Sequence, residues 1–275
     1  MVSAPQSSSE PLIELHELGV RFGRQEVLRD LTLSVPRGQT LAVIGESGCG
    51  KTVLLKTIIG LMRPTQGYVV FDGQRMDQLT DKQLTALRSR FGFVFQNSAL
   101  FDSMSVAENV GFPLRENRGM AADEVRPLVL ERLAEVGLPA SVMTQKPAQL
   151  SGCMRKRVGL ARALVMSPEA LLYDEPTTGL DPIVSDVINE LILRTRKHHE
   201  VTSVVVTHDM KNAQKVADRI VMLYPLSRLD PHESQIIFDG TPQEILASRD
   251  KRVAQFVRGE AGERLMEMRG HGALE

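Results

Sequence analysis

Eight consecutive residues, Gly45-Glu46-Ser47-Gly48-Cys49-Gly50-Lys51-Thr52, constrain this chain more than any others. They fit G-x-x-x-x-G-K-[ST] at every fixed position. Before them, Thr40 to Ile44 (TLAVI) is an unbroken apolar run, the pattern of a strand buried on both faces of a parallel sheet. After them, Lys51 to Leu61 has helical spacing and stops at RPTQG, a turn signal. A strand feeding a glycine turn and then a helix start is a phosphate cradle. The glycines let successive N–H groups turn inward, and the helix start adds about half a positive charge. Lys51 can reach the β/γ-phosphates of a nucleotide, and the Thr52 hydroxyl can ligate Mg²⁺.

The rest of the pattern agrees with an α/β fold. Leu12 to Phe22 and Val27 to Val35 alternate apolar and polar residues as half-buried strands do. Further strands are predicted at Tyr68 to Phe71, Phe91 to Phe95, Ala170 to Tyr173, Thr202 to Val206, Arg219 to Leu223 and Gln235 to Phe238. Between Asn97 and about Met166 the spacing is helical, so an α/β core with an inserted helical subdomain is expected. The expected boundaries are a Ser/Pro-rich lead-in over 1–11, one domain over 12–248 with its helical part at about 97–166, and a short helical tail over 249–275. A net charge of −1 gives no general pull toward nucleic acid or anionic lipid. Two cysteines among 275 residues exclude a disulfide framework and favour a reducing compartment. MVSAPQSSSE has neither the basic start nor the apolar stretch of a secretory signal. No apolar run reaches the ~18 residues that cross a bilayer, so any action on a membrane is expected to pass through a partner.

LLYDEP, Leu171 to Pro176, is an apolar strand ending in two carboxylates. Asp174 is placed to hold Mg²⁺ through water, and Glu175 to face the γ-phosphate and orient the attacking water. Tyr173 is expected in the core. His208 follows the apolar strand TSVVVT and should emerge at the same sheet edge, where it can bridge water and γ-phosphate or merely cap a turn. His198, His199 and Glu200 invite a metal reading, but neighbours on a helix point apart, so a solvated helix end is expected. QLSGCMRKRVGLARAL, Gln149 to Leu164, opens a second helix with a serine, a glycine and a small residue but no lysine. It offers half a phosphate site, and something else must supply the nucleotide. Arg155, Lys156 and Arg157 on this helix read as a solvated face.

The ordered set GESGCGKT, VFQ ending in Gln96, LSGCM, LLYDE, GLDP (Gly179 to Pro182) and THD (Thr207 to Asp209) resembles the ATP-binding subunits of ABC transporters. The match runs from about Leu12 to Gly240. The resemblance implies a P-loop NTPase (RecA-like) core with an antiparallel β subdomain and an inserted helical subdomain. It also implies an ATP- and Mg²⁺-dependent hydrolase acting as a head-to-tail homodimer. Each ATP would lie between the phosphate loop of one protomer and Ser151, Gly152 and Cys153 of the other, with Asp181 communicating across the interface. Gln96 would sense Mg²⁺ and face an integral-membrane permease, and Phe22 would stack on adenine.

SVAENVGFPLRE, Met154, RKRVGLARAL, YDEPTTGLDPIVSDVINELI and RVAQFVRG resemble one subgroup, the Mla/Mce-type lipid transport ATPases. That implies phospholipid traffic between inner and outer membranes, an Mce-type substrate-binding partner, and a peripheral position on the cytoplasmic face of the bacterial inner membrane. The competing readings are a small-molecule importer ATPase and a soluble ABC ATPase acting on DNA or ribosomes. The long coiled coil of the DNA-repair type and the second cassette of the ribosomal type are both absent, so no nucleic-acid partner is expected.

Two departures stand out. Pro225 to Glu233 (PLSRLDPHE) replaces a tight hairpin and is expected to be a surface loop. Cys153 stands where relatives carry glycine. Left-handed backbone there would cost roughly 1–2 kcal/mol, slowing turnover about tenfold. Both cysteines lie at helix starts, which lower a thiol pKa, so oxidants could inhibit through them. Cys49 suits a common pattern in this loop and is expected to be an inert small residue.

Overall fold

A computed structural model describes residues 10–260. Residues 1–9 of the expected lead-in and 261–275 of the expected tail lie outside the described residues. The chain opens with β1 (Pro11–Phe22) and β2 (Gln25–Pro36), then β3 (Thr40–Gly45) and α1 (Lys51–Ile58). Next come β4 (Gln66–Phe71), β5 (Gln74–Arg75), α2 (Asp81–Arg88) and β6 (Phe91–Val94). The helices α3 (Val106–Arg118), α4 (Ala122–Glu135) and α5 (Gly152–Leu164) follow. The chain then alternates through β7 (Ala170–Asp174), α6 (Pro182–His199), β8 (Thr202–Thr207), α7 (Met210–Val216) and β9 (Arg219–Leu223). It ends with β10 (Ile236–Gly240), α8 (Pro242–Leu246) and α9 (Lys251–Arg258).

Two sheets form. The alternating strands make a four-stranded antiparallel sheet in the order β2-β1-β4-β5. The continuous apolar runs make a six-stranded sheet in the order β10-β9-β3-β8-β7-β6, parallel except for the edge strand β10. Every residue of β3, β7 and β8 is buried, as strands covered on both faces must be. Because these strands are parallel and adjacent in register, their carboxyl ends fall together: Ile44 lies opposite Thr207, and Asp174 opposite Val206. Open α/β sheets present ligands at this edge.

One core cluster fills the space between the antiparallel sheet and α1, with Leu15, Leu28, Leu54 and Phe71 fully covered. A second lies under α3, α4 and α5, which pack on one another and, through α5, on β6. Capping boxes start α2 (Thr80 with Gln83) and α3 (Ser105 with Glu108), so both begin where a polar side chain can satisfy the first N–H groups. An ionic cluster joins the two sheets. Arg90, just before β6, donates to Glu169 (2.6 Å from Nε) and to Asp72 at the end of β4, and Arg37 also meets Asp72.

Candidate nucleotide site

The phosphate loop leaves the end of β3 through Gly45, whose φ is +149° and where a Cβ would stand 2.3 Å from the Leu223 carbonyl oxygen. Only glycine allows β3 and β9 this approach. Gly50, at φ +97°, caps α1 with its backbone pressed on Leu28, 2.6 Å from where a Cβ would be. Ser47 and Gly48 are exposed at the rim, whereas Cys49 is buried beneath it. Lys51 is 7% exposed and its Nζ donates to the loop's own carbonyls, Gly45 (2.8 Å) and Glu46 (2.9 Å). The ammonium is thus already aimed into the cradle. Burial pushes the Cys49 thiol up, contrary to the lowering expected at a helix start, because desolvation outweighs the nearby Lys51 charge. A raised thiol pKa gives oxidant sensitivity no support at Cys49.

The acidic pair meets the loop at the same edge. The Thr52 hydroxyl donates to Asp174 Oδ1 at 2.9 Å. Asp174 is buried, and desolvation holds its carboxyl above the ordinary aspartate range, with the Thr52 bond opposing. A buried carboxylate beside a hydroxyl is an all-oxygen donor set of the kind Mg²⁺ takes with substrate phosphates, so the residues fit that ion. Glu175 follows at φ +50°, a left-handed backbone that a non-glycine residue adopts at a cost of order 1–3 kcal/mol. Its N–H donates to the Val206 carbonyl (2.9 Å), which fixes the strained residue onto β8. Its Oε2 accepts from Thr178 Oγ1 (3.0 Å) and lies 2.8 Å from His208 Nδ1. His208 is therefore a partner of Glu175 rather than a turn cap. Gln96 lies exposed two residues beyond β6, as Glu175 lies one beyond β7. Its carbonyl accepts from Lys156 Nζ (2.9 Å). Phe22, at the free end of the β1–β2 hairpin, is 48% exposed.

The second helix start is elsewhere. Ser151 caps α5, its Oγ accepting from Met154 N at 3.2 Å, and both Ser151 and Gly152 are exposed. Helix α5 packs on β6, three strands from β3, or roughly 14 Å at ordinary strand spacing. Cys153 has no positive φ and sits within α5, so the left-handed penalty considered from sequence does not arise. Asp181 caps α6, accepting from the N–H groups of Ile183 and Val184 at 3.0 Å each. Arg155, Lys156 and Arg157 are not a solvated face. All three are half-buried and donate to carbonyls, those of Leu150, Gln96 and Gly137.

His198 and His199 do not point apart as expected. Their rings lie 4.9 Å from each other, and His199 Nε2 is 3.1 Å from Glu135 Oε2 at the end of α4. Glu135, not Glu200, completes the group. Arg132 holds the other Glu135 oxygen, and Arg194 and Lys197 line the same depression, so the surrounding charge opposes a cation.

A buried polar cluster escaped the sequence reading. Asn212 donates to Thr177 Oγ1 (2.7 Å) and Asp209 Oδ2 (2.9 Å) and accepts from Asn189 (2.7 Å). It ties the segment after β7 to the segment after β8. Asn189 and Asn212 stand singly among helical residues, where an amide carries no periodic signal.

A model described as "ABC transporter" matches residues 28–178, more than half of the chain. The chain belongs to the ABC transporter family. As an ABC ATPase it is an ATP hydrolase. It is 38% identical over 253 residues to the intermembrane phospholipid transport system ATP-binding protein MlaF of Haemophilus influenzae, covering 92% of each chain. It is also 38% identical to the probable ribonucleotide transport ATP-binding protein mkl of Mycobacterium tuberculosis, covering 93% of this chain and 70% of that one. Among solved structures, a dimeric post-hydrolysis state of the ATP-binding cassette MJ0796 with ADP and Pi matches with a TM-score of 0.73 and 31% identity. That match spans 84% of this chain and 98% of the other. The ABC ATPase fold expected from sequence is the one found.

Proposed function

We propose that this ABC ATPase drives phospholipid transport between the inner and outer membranes, as a head-to-tail homodimer beneath an integral-membrane permease. The observation that carries the dimer is that Ser151 is exposed at the positive end of a helix, α5, that packs on β6, three strands from the strand that feeds the phosphate loop. Such a half-site serves a nucleotide brought by a second copy. In each composite site Gly45 to Thr52 of one protomer cradle the phosphates of ATP, and Ser151, Gly152 and Cys153 of the other close over the γ-phosphate. Phe22 stacks on adenine. Thr52 and Asp174, with Gln96, would hold Mg²⁺, which would supply neutralisation of the phosphate charge. Glu175 takes the proton of the attacking water while His208, bonded to it, orients the carboxylate. Asp181 lies on the loop that reaches the partner's site.

Beside Gln96 is an apolar groove lined by Phe93, Phe95, Phe101, Phe112 and Met166, with Phe101 43% exposed. An exposed aromatic groove suits a helix of the permease. No helix among the described residues is long and apolar enough to cross a membrane, which is consistent with a peripheral position on the cytoplasmic face. The lipid assignment rests on the whole-length similarity to MlaF, an Mce-type substrate-binding protein being the further partner this implies. The second reading, a small-molecule importer, draws only on the name of mkl, a probable ribonucleotide transport ATP-binding protein.

The dimer is tested by mixing two inactive variants, Lys51→Ala and Ser151→Arg. Half of randomly paired dimers then carry one intact composite site, so about a quarter of wild-type activity returns if sites act independently. No recovery refutes the shared site. The branch is tested by purifying the tagged chain from its own membranes. A permease with an Mce-type protein supports lipid transport, a permease with a periplasmic small-molecule receptor supports the importer, and ribosomes or DNA refute both.

A further inference from the structure

The connection Pro225 to Glu233 is not a free surface loop. It forms a short 3₁₀ turn at Leu226–Arg228 and lies against the outer side of the phosphate loop. Arg228 Nη1 meets Glu46 Oε2 at 2.8 Å, with the two side chains only 26% and 14% exposed. Just beyond, Gln235 is 1% exposed, and its amide nitrogen donates to the carbonyl of Cys49 (3.1 Å) and to that of Val27 (3.2 Å). From the opposite side the Arg29 guanidinium donates to the carbonyls of Asp230 (3.1 Å) and Pro231 (3.3 Å). Two residues of the phosphate loop, Glu46 and Cys49, are thus held by a segment outside the motif.

Glu46 is the feature that makes this more than bracing. Its backbone carbonyl is a partner of Lys51 Nζ, so its carboxylate is carried by a residue of the cradle itself. That carboxylate has the same sign as the triphosphate the cradle receives. Like charges near one site oppose each other, and a cation fixed on one of them relieves the opposition.

We propose that Arg228 is a positioning residue of the nucleotide site, holding the Glu46 carboxylate and offsetting its charge so that the phosphate loop accepts ATP. The proposal rests on Gly45 to Thr52 being the ATP-binding loop. An ion pair between partly covered side chains is modest, and its loss corresponds to about a fivefold change in dissociation constant.

ATP titration and steady-state hydrolysis test this in the full chain. Arg228→Gln is expected to weaken ATP binding and raise KM about fivefold, with kcat retained and a smaller effect at high salt. Arg228→Lys keeps most of the affinity. Adding Glu46→Gln to Arg228→Gln restores binding, because the charge needing compensation is gone, whereas simple bracing of the fold would leave the double variant as weak as the single one. Arg228→Met removes the charge but keeps the aliphatic stem, is expected to show the same weakening of about fivefold, and keeps the test open if Arg228→Gln does not fold. Unchanged affinity in folded Arg228→Gln or Arg228→Met, or no rescue in the double variant, overturns the proposal. Lys51→Ala separates the two readings. If it binds ATP like wild type, the loop assignment fails. If it loses ATP while Arg228→Gln does not, only the role of Arg228 fails.

Discussion

Replacing Glu175 by glutamine separates chemistry from structure within one side chain. The carboxylate accepts from Thr178 Oγ1 and lies 2.8 Å from His208 Nδ1, and the backbone is bonded to Val206. Glutamine has the same length and keeps an acceptor oxygen, so both contacts survive with a neutral partner. The loss of charge assistance costs about 1 kcal/mol, which in a domain of this size moves the melting temperature by about 2–4 °C. Losing a base positioned on the attacking water costs 10²–10⁴-fold in rate, about 2.7–5.5 kcal/mol on the barrier. The second magnitude exceeds the first, so hydrolysis should collapse while folding and ATP affinity persist. Phosphate release at saturating ATP and Mg²⁺, a thermal melt and an ATP titration read the three quantities. Size exclusion with ATP and Mg²⁺ should also show accumulated dimer. Hydrolysis within about fivefold of wild type would remove Glu175 from the role of base. A fall in melting temperature of more than about 10 °C would mean that the carboxylate is structural first.

Two further outcomes follow from particular contacts. Because Cys153 is right-handed and helical, Cys153→Gly should leave the ATPase rate within about twofold of wild type, and a tenfold gain would show that the cysteine restrains turnover. Arg90 holds the carboxyls of Asp72 and Glu169 below their ordinary values of 3.8 and 4.5. Groups with depressed folded-state values stabilise above the unfolded values and lose that contribution as pH falls through the folded ones. The melting temperature should therefore drop as pH falls below about 4.5. Arg90→Gln should lose about 1 kcal/mol at neutral pH, after allowing for solvent screening. It should also show a shallower acid dependence, and equal slopes for variant and wild type would reject the assignment.

The parts of this molecule that sequence made legible are those whose signal is local. Gly45 to Thr52, the continuous runs of β3, β7 and β8, and the alternation of β1 and β2 each follow from residues within a dozen positions of one another. The illegible parts depend on distant partners. Arg228 and Glu46 are 182 residues apart, and nothing in PLSRLDPHE indicates that it lies on the phosphate loop. His199 finds Glu135 across 64 residues, so a reading confined to one helix expects a solvated end. Cys49 shows a competition that sequence cannot weigh. A helix start lowers a thiol pKa and burial raises it, and the depth of the residue decides. At Cys153 the missing quantity was a single backbone angle.

The Asn212 amide, bonded to Thr177, Asn189 and Asp209, has a mechanical corollary. Thr177 stands two residues past Glu175, and Asp209 one past His208. Glu175, the proposed base, and His208 beside it are therefore carried on two chain segments joined through one amide. For one segment to swing without the other, the Asn212 bonds to Thr177 and Asp209 must break, so the two jaws share a mechanical link at the edge of the site.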